Sequence, residues 1–202
     1  MKRAGIYILL LFPLFLLGGC FLPSVYSLYD GATDEKLVMV PEIAGTWKHP
    51  DTKDTWAFET GDGMQTEKYY KLTCKQKKRN KAVFAAHFVR LNGDLFMDIF
   101  TIADENKTGS RNMLMENDML RFSLYAVHNF AKVNVNGNKM QILQFFPTEP
   151  DSVNKYSLEK LNFIRADGGT ILVSKPEEIR RFLSAHSNDK TCFTDTIQLT
   201  KE

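Results

Sequence analysis

The chain has 202 residues, with 26 Lys and Arg against 24 Asp and Glu, 15 Phe, 7 Tyr, 2 Trp and 3 Cys. That length suits one domain. The near balance of charge argues against a nucleic-acid binder, which carries a basic excess to neutralise phosphate.

In chain order, Lys2 and Arg3 precede a twelve-residue apolar run, Ile6 to Leu17, broken only by Pro13, and then Leu17-Gly18-Gly19-Cys20. A secretory signal needs charge, then an apolar helix-forming stretch, then small residues that a peptidase can admit. The run is short for a bilayer-spanning helix, which takes about 20 residues. Leu17 to Cys20 resembles the lipobox of bacterial lipoproteins: leucine, two small residues, and a cysteine whose thiolate accepts a diacylglycerol. The resemblance implies that residues 1–19 are a signal peptide, that Cys20 is the site of lipid attachment, and that the protein is membrane-anchored outside the cytoplasm. Phe21 rather than Asp after Cys20 implies, by likeness to enterobacterial sorting, the outer membrane where a cell has one. Losing Lys2 and Arg3 takes the 26 basic residues to 24, equal to the 24 acidic ones.

Residues 20–40 mix Pro23, Ser24, Gly31 and Asp34 with scattered apolar residues and no period, and read as a lipidated tether. The single folded domain is expected over residues 41–202. There the punctuation is that of an antiparallel meander: short aromatic and β-branched runs separated by glycine turns. Trp56 and Phe58 alternate with polar or small neighbours before Gly61-Asp62-Gly63, and Tyr70, Leu72 and Cys74 alternate likewise. Asn92-Gly93 and Asn136-Gly137 each sit between two strand-like runs, and Asn-Gly suits a type I′ hairpin turn, in which both central residues take positive φ. A two-residue turn at Asn92-Gly93 sets Phe88 against Met97, Ala86 against Ile99, His87 against Asp98 and Val89 against Phe96. Both faces of that hairpin are then largely apolar, so one faces the core and the other needs a cover, from a helix or from the tether.

Residues 103–118 are polar and read as a long loop, and residues 153–164 fit a short helix or a ragged strand. Asp167-Gly168-Gly169 separates two further short strands. Over 175–183, Pro176 in the first turn, Glu177 and Glu178 at the positive end, and the Ile179, Phe182, Leu183 stripe predict one amphipathic helix, with Ser174 near its cap. A last strand runs over 191–199. The fold class is therefore mainly β: an up-and-down antiparallel meander or barrel with one C-terminal helix and a final strand.

Gly45-Thr46-Trp47 near the start of this pattern, with the helix and last strand at its end, resembles lipocalins and the wider calycin group. The resemblance implies that Trp47 closes the barrel floor under a covering arginine, for which Arg165 is the candidate. It also implies an apolar or amphipathic small-molecule ligand. A protein-binding envelope module, such as an inhibitor of a secreted protease or lysozyme, is the alternative. Trp47, Trp56, Phe58, Tyr70, Leu72, Phe88, Met97 and Ile99 are the candidate ligand-lining or core residues.

His87 beside Asp98 has the form of an oriented base, but no serine or cysteine nucleophile in a recognisable setting accompanies it. His49, His128 and His186 lack metal-ligand spacing. No enzyme, metal or cofactor is expected. Cys74 and Cys192 form an even pair that an oxidising compartment can bridge, or that stays as two buried thiols. The basic run Lys75 to Lys81 reads as a solvated loop tip before a contact with an anionic surface, because the mature chain has no net positive charge.

Overall fold

The protein is described by a computed structural model over residues 22–31, 33–60, 68–76, 81–102, 127–146, 161–166 and 169–202. The signal region with Cys20, the loop at 103–118 and most of 153–164 lie outside the described residues. The strands are β1 (Pro23–Ser24), β2 (Gly45–Lys48), β3 (Thr55–Glu59), β4 (Tyr69–Lys75), β5 (Lys81–Leu91), β6 (Asp94–Thr101), β7 (His128–Asn136), β8 (Lys139–Phe145), β9 (Phe163–Ala166), β10 (Gly169–Leu172) and β11 (Phe193–Lys201). The helix α1 spans Pro176–His186.

Strands β2 to β8 pair antiparallel in succession, and β11 joins β8 to β2, closing an eight-stranded barrel. Closure leaves none of these eight as a free edge. The β5–β6 register is the expected one, Phe88 with Met97 and His87 with Asp98. Asn92 at φ 49° and Gly93 at φ 90° make the type I′ turn. The second hairpin differs by one residue. Asn136 pairs with Lys139, so the turn is Gly137-Asn138, and only Gly137 takes positive φ. That is the demand of a type II′ turn, which needs glycine at its first central position.

One barrel end, the floor, carries these two hairpin turns. It is closed by a 3-10 turn, Pro41–Ile43, that precedes β2. Trp47 is fully buried there and donates its indole N–H to the Ile43 carbonyl at 2.8 Å. Lys201 Nζ lies 5.1 Å from the Trp47 ring centre and donates to the Glu42 carbonyl at 2.8 Å. The covering cation is thus Lys201 on the last strand, whereas Arg165 belongs to β9, beyond the barrel circuit. Gly45 has φ 120°, and a Cβ there would come within 3.0 Å of Lys201 Cε, so glycine lets the lysine lie across the tryptophan.

The hairpin's second apolar face is covered by both candidates. Leu22, Leu28 and Leu37 from the N-terminal segment join Ile179, Phe182 and Leu183 of α1 in an outer cluster with Val89, Phe96, Phe130 and Phe145. Residues 22–31 and 33–40, expected as a tether, therefore pack on the barrel as part of the folded domain. Leu28 is fully buried, Leu37 bridges to Val89, and Val38 N–H bonds the Phe88 carbonyl at 2.9 Å. An irregular segment that fills separate hollows has no period, which is why its pattern resembles that of a linker. Arg180 of α1 ties the two covers together, donating to the Leu28 carbonyl at 3.0 Å and to Asp30 at 2.9 Å.

At the end opposite the floor, β1 pairs with the start of β7, and Leu22 N–H reaches the Phe145 carbonyl at the end of β8. There β1, β10 and β9 form a small flap. The Glu178 carboxylate accepts the Lys175 N–H at the start of α1. Ser174, expected near that cap, is instead fully buried and accepts the Asn162 N–H at 2.7 Å. Among the described residues no helix is long and apolar enough to cross a membrane.

Candidate functional site

The pleat assigns every second residue of each barrel strand to the interior. All eight candidate lining residues meet there: Trp47, Trp56, Phe58, Tyr70, Leu72, Phe88, Met97 and Ile99 belong to one buried cluster. Toward the floor they pack with large rings in contact, Tyr70 edge-on to Phe58 and to Phe88. The Tyr70 hydroxyl accepts the Val40 N–H and donates to the Val40 carbonyl, fastening the chain that closes the floor. This half is core.

The other half of the interior is different. Inward side chains become small at Cys74, Ala82 and Ala131, and polar groups appear beyond them. Thr101 continues the inward row of Met97 and Ile99, and Asn129 pairs with Ile99. Gln144 pairs with inward-facing Ala131, and Gln76 follows Leu72 and Cys74 in phase. These positions lie toward the end opposite the floor, the mouth. The side-chain oxygens of Gln76, Thr101, Asn129 and Gln144 are all buried without a hydrogen-bond partner. Asn129 and Gln144 are each only 3% exposed.

Native proteins keep such groups rare, because an unmet buried donor or acceptor costs about 1–3 kcal/mol. Four such oxygens lie in one part of one barrel. An amide oxygen accepts, a rotated amide presents its NH2 to the same space, and a threonine hydroxyl does both. None of the four is charged, so a hydroxyl or amide is the chemistry that would satisfy them.

On the outer wall, Asp98 is fully buried and bonds His128 Nδ1 at 2.8 Å and the Leu28 N–H at 2.8 Å. His87 is the cross-strand neighbour of Asp98, and its ring stacks on Tyr29, whose hydroxyl is 3.3 Å from His87 Nδ1. The cluster fastens the N-terminal segment to the barrel, and a carboxylate occupied by a backbone N–H and an imidazole has a complete structural role.

His186, Asp189 and Cys192 bring their ligand-type atoms within 4.8 Å of one another, a grouping that a search for paired histidines does not find. Successive turns account for the convergence: Asp189 N–H bonds the His186 carbonyl, Cys192 N–H bonds the Asp189 carbonyl, and Thr191 donates twice to Asp189. Those Thr191 bonds hold the Asp189 carboxyl below the usual carboxylate range.

Cys74 and Cys192 are not bridged. Cys74 faces the barrel interior beside Trp56, and Cys192 belongs to the outer cluster, so the barrel wall stands between them. Burial raises the Cys74 thiol far above its ordinary range, and it behaves as a small apolar side chain. Lys75 and Lys81, at the two ends of the basic run, are exposed on the mouth rim, and residues 77–80 lie outside the described ones. A cleft of about 380 Å³ opens at the floor, lined by Val40, Glu42, Arg90, Asp94, Leu95 and Val133 among others. The chain matches no protein-family model, no curated protein and no solved structure.

Proposed function

We propose that this chain is a cell-envelope lipoprotein, anchored through lipid on Cys20, whose calycin-like barrel holds one amphipathic small molecule at its mouth. The observation that carries the reading is the group of four buried, unpartnered side-chain oxygens on Gln76, Thr101, Asn129 and Gln144. They would receive a neutral polar head, and the apolar side chains of Trp56, Phe84 and Ile99 beneath them would take the start of a hydrocarbon portion. The filled floor half limits how deep the ligand reaches, so the apolar portion is short or extends out of the mouth.

The test uses the opposite signs expected for stability and binding. Asn129→Leu with Gln144→Met keeps side-chain volume and removes two unmet polar groups. Such replacements are neutral to stabilising when the ligand is absent, and sites built for function commonly trade stability for it. The double variant should keep or raise its thermal midpoint and lose at least about tenfold in affinity, about 1.4 kcal/mol, for a fluorescent monoacylglycerol probe. A variant that is strongly destabilised while binding is unchanged would assign these residues to structure alone.

The floor cleft favours the second reading, a protein-binding module. It combines Glu42, Arg90 and Asp94 with Val40, Leu95 and Val133 near two tight hairpins, a surface suited to a loop of another protein. Arg90→Glu would abolish partner capture in that case and leave probe binding unchanged.

A further inference from the structure

The flap beside the mouth has one apolar face with no cover among the described residues. Ser24 and Leu172 pair and are both buried, so they mark its inner side. The neighbours that alternate with them point outward. Val25 follows Ser24, Ile171 and Val173 flank Leu172, and Ile164 pairs with Ile171. Val25 N–H bonds the Leu172 carbonyl and Val173 N–H bonds the Asn162 carbonyl, so the ladder continues through these residues. Val25 is 50% exposed and Ile164 58% exposed. On the outside of three adjacent strands, Val25, Ile164 and Tyr26 are thus exposed, and Ile171 and Val173 are half-buried in the same row. Exposed apolar side chains grouped in this way are a candidate interaction surface.

What covers it follows from where the chain leads. Leu22 is fixed to Phe145 at the mouth end of β8. Only two peptide links separate Leu22 from Cys20, a reach of at most about 7 Å. With residues 22–31 and 33–40 packed on the barrel, little chain is left between Cys20 and the domain to hold it away from the bilayer. Lys75 and Lys81 stand exposed on the same rim, where cations favour an anionic lipid surface, and tyrosine is enriched at the headgroup level.

We propose that the barrel sits mouth-down on the membrane, with the Val25, Ile164, Ile171 and Val173 face of the flap in the lipid headgroup region, so that its ligand is a membrane amphiphile entering from the bilayer. This rests on the reading that Cys20 carries lipid. The two β-hairpin turns of the floor then point away from the membrane.

The full-length lipidated protein is reconstituted in vesicles of phosphatidylethanolamine and phosphatidylglycerol that contain a spin-labelled lipid quencher. A polarity-sensitive fluorophore is attached at Ile164→Cys on the flap or, separately, at Asn136→Cys beside a floor turn. Cys74 and Cys192 are buried, and lipidation consumes the Cys20 thiol, so the added cysteine takes the label. The fluorophore at residue 164 should shift to the blue and be quenched severalfold more than at residue 136. Equal quenching at the two positions, or stronger quenching at residue 136, overturns the proposal. The N-terminal peptide mass and vesicle flotation of the same sample separate two failures. A lipidated, floating protein that is quenched equally loses the orientation and keeps the anchor. A protein without lipid on Cys20 loses both.

Discussion

Trp47→Ala is expected to lower the free energy of unfolding by about 3–5 kcal/mol, the usual penalty for emptying a buried aromatic site. Three interactions end together. The ring leaves a fully buried position where the interior meets the floor. The Ile43 carbonyl loses the indole N–H that holds the 3-10 turn under the barrel. Lys201 loses the aromatic face that it covers, a contact of about 0.5–1 kcal/mol or more when desolvated. Against a typical domain stability of about 5–15 kcal/mol, that loss leaves the barrel marginal. Trp47→Phe keeps most of the ring and deletes the donor, so its cost should be smaller, about 1–3 kcal/mol. Urea unfolding of both variants, followed by far-ultraviolet circular dichroism, gives the order. A loss below about 1 kcal/mol for Trp47→Ala, the scale of an ordinary surface substitution or less, would mean that the floor does not depend on this residue.

Cys20→Ser is expected to abolish membrane attachment of the mature form, an all-or-none effect. The sulfur is the only atom of the Leu17-Gly18-Gly19-Cys20 motif that can carry a thioether-linked diacylglycerol. Stable anchoring takes two signals, such as two acyl chains, and the few apolar side chains of the flap bury too little to replace them. Cells expressing the variant should contain unprocessed precursor or released protein, and labelled palmitate should no longer be incorporated. Undiminished palmitate incorporation, or a wild-type mature N-terminus at any other residue, would contradict the lipoprotein reading.

Much of the barrel was legible because local chemistry determines it. Asn92-Gly93 satisfies a turn with positive φ at both central residues, and the turn alone sets the register of β5 and β6 along their whole length. The same reasoning slipped by one residue at Gly137-Asn138, where a type II′ turn asks for positive φ only at its glycine. The helix was legible from its apolar stripe, and it runs one turn past the stripe to His186. Residues 22–31 and 33–40 resemble a linker because a cover that plugs separate hollows follows no period. Lys201 was missed because its partner Trp47 is more than 150 residues away, a pairing visible only once β11 closes on β2.

The four polar residues of the mouth were hidden for a related reason. Asn129 and Gln144 face inward only if the registers of β7 against β6 and β8 are known. The connection before β7 is long and carries no tight-turn signal, so nothing local sets the β6–β7 register, and the β7–β8 register follows only from a turn at Gly137-Asn138. Cys74 and Cys192 illustrate the same limit: composition makes them a pair, and the phase of two distant strands puts them on opposite sides of the wall.

Native mass spectrometry of the protein purified from its membrane in mild detergent tests the binding reading most directly. A second species is expected, heavier by the mass of one small amphiphile, that is released by organic extraction and is absent or greatly reduced in Asn129→Leu with Gln144→Met. A wild-type protein that carries only its N-terminal lipid, or an adduct of equal abundance in the double variant, would contradict it.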